Sequence, residues 1–467
     1  MLAELRAQLA ARDQDLETLR NQVAALETLV LALRDKLRLD SRTSSKPPSS
    51  DGPGAAPRST TPTGRPRGAQ KGHKGSPRRQ RLEPDECLPI LPAACKRCHG
   101  PLLGFDPHPQ IHQVVDLNDH GRWVRDYALH KLLCTACGAR TRATLPTGVG
   151  WSPFGPRLRA WMAALPPRFR LGRREVVALV FETFGITVSL GACSEHEAKA
   201  SEAVVPAVAE AKAHLEQSAV AHADETPHRQ QGHKGWLWLA CNSVVAVFLL
   251  AATRSRPEFV RLVGRFAGVL VTDRYSAYVH WPEARHQVCW AHVLRFFLWL
   301  AESYRASVAA LGKALLETSR AMLHAWNQVQ RGEIARADFD AQLPAWKQTI
   351  LTLLLRGVGE NIEKVWRGCD GLIADFTMLW TFTEQPGVEP TNNRAERRIR
   401  AGVRWRKNSL GTQSERGSRF VERLLTVSET LRMQGRGVVA WLTEVLAAKQ
   451  GVPGMAYPSL LPTSDTS

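Results

Sequence analysis

Three acidic residues stand where the sequence pattern can bring them together. Asp224 in "HADETP" closes one strand-like apolar run, and Asp273 in "FAGVLVTDRYSAY" closes another. Glu396 lies in "PTNNRAERRIR", which reads as a helix start capped by Asn392 or Asn393. Adjacent strand ends would set two carboxylates side by side, and the helix would add the third. Such a cluster repels itself unless hard divalent cations neutralise it. Two Mg²⁺ (or Mn²⁺) ions about 3.5–4 Å apart activate water or a 3′-hydroxyl for in-line attack on a phosphodiester, so the chemistry expected of the trio is phosphoryl transfer on a polynucleotide. Glu225, Glu384 and Glu389 are competing carboxylates. Each member of the trio also has a purely structural reading: Asp224 as a turn residue, Asp273 paired with Arg274, and Glu396 completing a capping box with Asn393.

A second constellation is made of thiols. "CKRC" (Cys95, Cys98) and "CTAC" (Cys134, Cys137) are each followed by His-Gly or Gly, with 35 residues between them. Two such turns close a tetrahedral site for one structural Zn²⁺, because each presents two sulfurs on one side. Cys87 and His99 are alternative ligands. The alternating apolar residues of "IHQVVDL" and "WVRDYALHKLL" predict a small sheet, hence a zinc ribbon. "CWAH" offers Cys289 and His292, too few ligands for a zinc site, and reads as a buried structural pair.

The elements that must position these groups follow from periodicity. Leu2, Leu5, Leu9, Leu16, Leu19, Val23, Leu26, Val30, Leu33 and Leu37 recur in steps of three and four, broken only at Arg12, and predict a self-associating coiled-coil helix. Residues 41–81 are rich in Ser, Thr, Pro and Gly and carry ten basic residues against one acid, a linker expected to stay disordered or to order on nucleic acid. Residues 156–200 read as helices broken at Gly185 and restarted at Ser189, with the spacing of a helix-turn-helix or an ordinary helical hairpin. "GWLWLACNSVVAVFLLAA" reads as a hairpin turning at Asn242-Ser243, and the chain is then mainly helical to about residue 380. Twelve Lys or Arg against four Glu lie between Arg394 and Arg436, so Arg394, Arg397, Arg398 and Arg400 are candidate phosphate contacts. The tail after Gly451 is expected to fray.

Composition agrees with a polyanionic partner. The 467 residues carry 62 Lys+Arg against 44 Asp+Glu, a net charge of +18. No run approaches the ~18 apolar residues of a membrane span, and the first residues lack a basic-then-apolar leader, so a soluble, unsecreted, cytoplasmic protein is expected.

In sum of motifs, "RGAQKGHKG", the two Cys-x-x-Cys turns, "HADETP", "GWLWLA", "GVLVTDRYSAY", "QVCWAH", "TNNRAERRIR" and "RKNSLGTQSERGSRFVERLLTVSETLRMQG", in that order behind the leading heptads, resemble the DDE transposases of the bacterial insertion sequence sixty-six family. The resemblance implies an α/β protein with a ribonuclease-H-like catalytic core carrying a helical insertion, preceded by the coiled coil and the zinc ribbon. It carries Asp224, Asp273 and Glu396 over as the metal-binding acids and leaves Glu225 a neighbour. The expected organisation is 1–40 oligomerisation helix, 41–81 basic linker, 82–150 DNA-binding zinc ribbon, 151–217 helical segment, 218–430 catalytic domain with an insertion at about 285–385, and 431–467 helix and tail. The implied function is binding of element ends with metal-dependent cleavage and strand transfer into target DNA, by a homo-oligomer with possible element-encoded helper proteins. A non-catalytic DNA-binding regulator and a hydrolysis-only nuclease are the alternatives.

Overall fold

The computed structural model describes residues 14, 16–27, 80–409 and 411–462. The chain divides into two units, Met1–Lys74 and Gly75–Ser467. In the first, residues 16–27 are helical, and Leu16, Leu19, Val23 and Leu26 form an exposed apolar stripe. The rest of the heptad series and the linker as far as Arg79 lie outside the described residues.

The second unit is mixed α/β. Strands β1 (Glu86–Ile90), β2 (Leu102–Leu103), β3 (Gln110–Asn118), β4 (Gly121–Leu129), β5 (Lys131–Cys134) and β6 (Arg140–Arg142) form two three-stranded sheets, ordered β1-β4-β3 and β2-β5-β6. Four helices follow: α1 (Pro156–Phe169), α2 (Arg173–Phe184), α3 (Leu190–Ala203) and α4 (Val205–Glu216). The punctuation read from the sequence is present. Gly185 ends α2 in the left-handed conformation, and the Ser189 side chain accepts from the Ala192 N–H at the start of α3.

A five-stranded sheet comes next, ordered β11-β10-β7-β8-β9, from β7 (Val220–Gln230), β8 (His233–Cys241), β9 (Ala246–Ala251), β10 (Val269–Thr272) and β11 (His286–Val288), with α5 (Arg256–Val263) between β9 and β10. β7, β8 and β9 are antiparallel, while β10 and β11 run parallel to β7. The β8–β9 turn at Asn242 is as expected, its side chain accepting from the N–H groups of Val244 and Val245. β7 corrects the sequence reading, because the strand does not stop at Asp224 but runs six residues further, to Gln230. Its polar residues hid the pattern. His222, Asp224, Thr226 and His228 share one face of the strand by its two-residue period, and that face is covered by a helix instead of water. Pro227 is tolerated because the ladder with β10 ends at His222.

Helices α6 (Trp290–Ala301), α7 (Ala306–Gln330), α8 (Arg336–Val358), α9 (Glu363–Ala374) and α10 (Thr381–Glu384) form a second core around Phe297, Leu315, Phe339 and Leu354, which takes in Val269, Val271 and Val288 of β10 and β11. The chain then returns to the sheet as α11 (Asn393–Ser409), α12 (Glu415–Met433) and α13 (Val438–Gln450). α11 lies on β7 and β8 at close range, since a Cβ on Gly402 would fall 2.1 Å from Leu237 Cδ2. α12 closes the β9 edge with side chains. Thr430 Oγ1, Thr426 Oγ1 and Glu422 Oε2, one helical turn apart, accept from the N–H groups of Ala246, Phe248 and Leu250, each at 3.0 Å. An edge strand would otherwise offer those donors to another chain.

One apolar core joins Ala160, Val204 and Leu215 to the sheet, to Leu424 and Leu431, and to Leu442 and Leu460. It spans both boundaries expected at residues 217 and 430. The expected frayed tail is likewise corrected. Leu460 is fully buried, the Arg436 guanidinium donates to the carbonyls of Ser459, Leu460 and Leu461, Trp441 Nε1 donates to Ser459 O, and Tyr457 OH donates to Ala203 O. Apolar side chains at 457 and 460 supply the burial that composition alone did not suggest. Among the described residues, no helix is long and apolar enough to cross a membrane.

Candidate active site

The two aspartates meet through strand register. His222 of β7 pairs with Val271 of β10 in a parallel ladder. Asp224 and Asp273 each lie two residues beyond that pair, so they emerge at the same height on neighbouring strands and on one face. The Asp224 side chain accepts from the Glu225 N–H, and Asp273 Oδ1 accepts from the Tyr275 N–H at 3.0 Å. Burial first, then the charges of Glu225, Asp273 and Glu396, push the Asp224 carboxyl up to about 7. Carboxylates that raise one another in this way are the donor set a hard divalent cation fits.

Glu396 is brought to the same face by Asn392. The sequence suggested a capping side chain there, but the structure uses it otherwise. Asn392 is buried, its Nδ2 donates to Ala223 O at 2.7 Å, and its Oδ1 lies 3.3 Å from His222 Nδ1. The side chain thus rivets the start of α11 to β7, one residue before Asp224. Its backbone carbonyl accepts from the Glu396 N–H at 3.1 Å, which puts Glu396 one turn along the helix. Glu396 is flanked by Arg295 Nη2 at 3.5 Å and His292 Nδ1 at 3.8 Å. The oxygens of Asp224, Asp273 and Glu396 are not within 4.8 Å of one another as a set. Among the described residues, the sets that are so close are the four cysteines and Cys289–His292–Glu396.

"CWAH" is the joint that its sequence did not explain. Cys289 N–H donates to Thr272 O, next to Asp273, at 2.8 Å, and Cys289 Sγ accepts from the Asn392 N–H at 3.1 Å. One buried residue therefore connects, by its backbone N–H and its thiol, the end of the strand before Asp273, the start of α6 and the start of the helix bearing Glu396. Burial pushes this thiol up and keeps it neutral.

The competing carboxylates are occupied elsewhere. Glu225 points to the opposite face of β7, where Arg254 Nε donates to Oε1 at 2.7 Å and Tyr278 OH donates to Oε2. Glu389 pairs with Arg394, and Glu384 with Lys347. Arg274 pairs with Asp375, not with Asp273. Arg398 reaches Glu429, whereas Arg397 and Arg400 are exposed on α11.

Cys95, Cys98, Cys134 and Cys137 come together, with Cys95 Sγ 3.6 Å from Cys137 Sγ and Cys98 Sγ 3.5 Å from Cys134 Sγ. Zn–S bonds of about 2.3 Å in a tetrahedron separate sulfurs by roughly 3.8 Å, so the set fits zinc. The backbone N–H groups of Cys98 and Arg97 pull the Cys95 thiol down to about 6, while the neighbouring Cys137 and Cys134 sulfurs push Cys98 up to about 12, a crowding of sulfurs that a bound cation would relieve. Neither Cys87, exposed on β1, nor His99 belongs to the set.

Comparison with known proteins agrees with these observations. The family model described as "Transposase IS66 family" matches residues 154–419. A family of unknown function, DUF6444, matches residues 2–79. The chain is also similar to the uncharacterized protein y4qI of Sinorhizobium fredii (strain NBRC 101917 / NGR234), 25% identical over 273 residues, which cover 51% of this chain and 50% of that protein. The chain thus spans about half the length of this curated relative.

Proposed function

The chain belongs to the IS66 transposase family, and from that premise we propose that it is a metal-dependent DNA transposase that binds the ends of an insertion sequence, cuts there and joins the freed end to target DNA. The observation that carries this reading is the placement of Asp224 and Asp273 at equal height on parallel strands, with Glu396 held one helical turn from the Asn392 rivet. The mixed five-stranded sheet with acids on its parallel strands, and five helices intervening before Glu396, support a ribonuclease-H-like core with a helical insertion.

Asp224, Asp273 and Glu396 would hold two Mg²⁺ or Mn²⁺ ions. Bound there, the ions supply an activated nucleophile and neutralise the leaving oxygen. In the first step water attacks the phosphodiester at the element end and a 3′-hydroxyl leaves; in the second that 3′-hydroxyl attacks a target phosphodiester, and a target 3′-oxygen leaves. Asn392 and Cys289 position the acids for both steps. Arg397 and Arg400 supply phosphate contacts beside them. The zinc-ribbon region 82–150 recognises element ends, residues 1–40 assemble copies of the chain as a coiled coil, and helper proteins encoded by the element complete the complex.

The test is incubation of the purified chain with duplexes carrying the element ends, Mg²⁺ and plasmid target. Release of 3′ ends followed by joined product is expected. Asp273→Asn and Glu396→Gln should lose both while retaining DNA binding. Cleavage without joining would favour a hydrolysis-only nuclease, and neither product with wild-type chain would overturn the reading.

A further inference from the structure

Next to Asp273 the structure contains a pocket of about 350 Å³, within the range of small-ligand sites and far too small for a duplex. Its walls combine flat apolar rings with cations. Phe296 of α6 lines it, stacked on Trp299 at 6.0 Å with an interplanar angle of 18°. Lys364 Nζ lies over the Trp299 ring, 4.1 Å from its centroid. Gly368 of α9 leaves the room that the Phe296 ring takes, for a Cβ there would lie 2.2 Å from its Cζ. Opposite in chemistry, Tyr275 lines the same pocket with the Arg254 guanidinium 3.4 Å from its ring centroid, and Arg274 adds a second cation.

Neither arginine is needed for the acid cluster itself. Arg254 neutralises Glu225 on the far face of β7, and Arg274 neutralises Asp375, yet both keep about a third of their side-chain surface exposed. Leu372 and Val293 complete the apolar lining. A ligand that offers a planar ring to Phe296 and an anion to Arg254 and Arg274, and that comes within reach of Asp273, is a nucleotide taken out of its base pair. Stacking on an aromatic ring with cations along the backbone is the general means of holding unpaired DNA, and a single nucleotide can be turned out of a duplex into a pocket, at least cost where it is already unpaired.

We propose that this pocket receives one unpaired nucleotide of the DNA strand whose phosphodiester lies at Asp273, with its base against Phe296 and its phosphate at Arg254 and Arg274. The inference rests on the transposase reading above. It names residues that position the strand without touching the acids, and it makes an open or frayed end the preferred form of DNA.

The test uses the full chain with Ca²⁺ in place of Mg²⁺ and two probes: a blunt duplex and the same duplex with a short unpaired overhang containing 2-aminopurine. Wild-type chain should bind the overhang probe more tightly and quench its fluorescence by stacking. Phe296→Leu should abolish the quenching and weaken overhang binding about tenfold, leaving blunt-duplex binding unchanged. Leu372→Met, which lengthens a pocket-lining side chain without adding a ring that could itself stack on the base, should reduce both the quenching and the overhang binding, and circular dichroism melting checks that both variants fold. Equal binding of the two probes by wild-type chain, or undiminished quenching by both pocket variants, overturns the proposal. The binding step is read without cleavage, so the pocket can fail while joining persists, and loss of joining in wild type would condemn the transposase reading instead.

Discussion

Replacing Asn392 with alanine tests whether the acids are held in place by the rivet between α11 and β7. The substitution deletes a 2.7 Å bond to Ala223 O and a 3.3 Å contact to His222 Nδ1, at a site only 2% exposed. Each buried hydrogen bond contributes about 1 kcal/mol net, and a partner left unpaired costs about 1–3 kcal/mol more, so a loss of roughly 2–4 kcal/mol is expected. Asn392→Asp keeps the shape but cannot donate to Ala223 O, and it adds a negative charge beside Asp224; it should destabilise at least as much. Urea unfolding of the unliganded chain gives the stability loss, and a double-mutant cycle with His222→Ala should return a coupling of about 1 kcal/mol. Joining is then measured well below the unfolding transition. A shift of Glu396 by about 1 Å is enough to slow joining ~100-fold. The reasoning is refuted if Asn392→Ala unfolds within ~0.5 kcal/mol of wild type and joins DNA at the wild-type rate.

Further expectations concern metal, protons and the edge strand. The chain should contain one zinc per copy by elemental analysis, and Cys134→Ser should lose it and expose the 82–150 region to protease; zinc-free wild-type chain with intact protease resistance would count against the site. Because Asp224 is pushed up to about 7, Mg²⁺ or Mn²⁺ binding at pH 6 should release a proton, measured by calorimetry in buffers of different ionisation enthalpy, and Asp224→Asn should eliminate that release. Burial pushes His196, His222, His228 and His286 each down to about 4. A histidine kept neutral by the fold stabilises fully above its unfolded value near 6.5, and that contribution disappears as pH falls toward 4, so the melting temperature should drop across this window; a flat profile would show that these rings do not titrate as described. Thr426→Val leaves the Phe248 N–H without its acceptor and should cost about 1–3 kcal/mol in urea unfolding, against much less for Thr443→Val, a half-buried hydroxyl that bonds only its own helix at Val439 O.

The sequence made the cysteine site legible because four identical ligands in two close pairs leave little choice of partners. Asp273 was legible for a different reason: an unbroken apolar run ended beside it, and the buried four-residue strand β10 is what such a run becomes. Asp224 was found as a residue but misplaced in its element, since His222, Thr226 and His228 look solvent-facing until α11 covers them. β11 is three residues long and has no pattern of its own; it exists because it pairs in parallel with β10, and its Gln287 side chain is fixed by Leu379 O, 92 residues away. Asn392 and Cys289 show the same limit. A capping asparagine and a bridging one have identical local sequence, and only contacts to Ala223 and Thr272 tell them apart.

The buried segment 457–461 has a consequence for how the protein is made. Ribosomes deliver the sheet, the acids and α11 long before they deliver Leu460, whose socket is shaped by Arg436 and Trp441 and whose N–H is received by Glu210. Until that segment emerges, the layer formed by α4, α13 and the sheet lacks its last apolar piece, and the nascent chain remains short of its final cooperativity. A chain cut just before Tyr457 would keep Asp224, Asp273, Glu396 and all four clustered cysteines, yet its layer of α4, α13 and sheet would be open to water and to proteases.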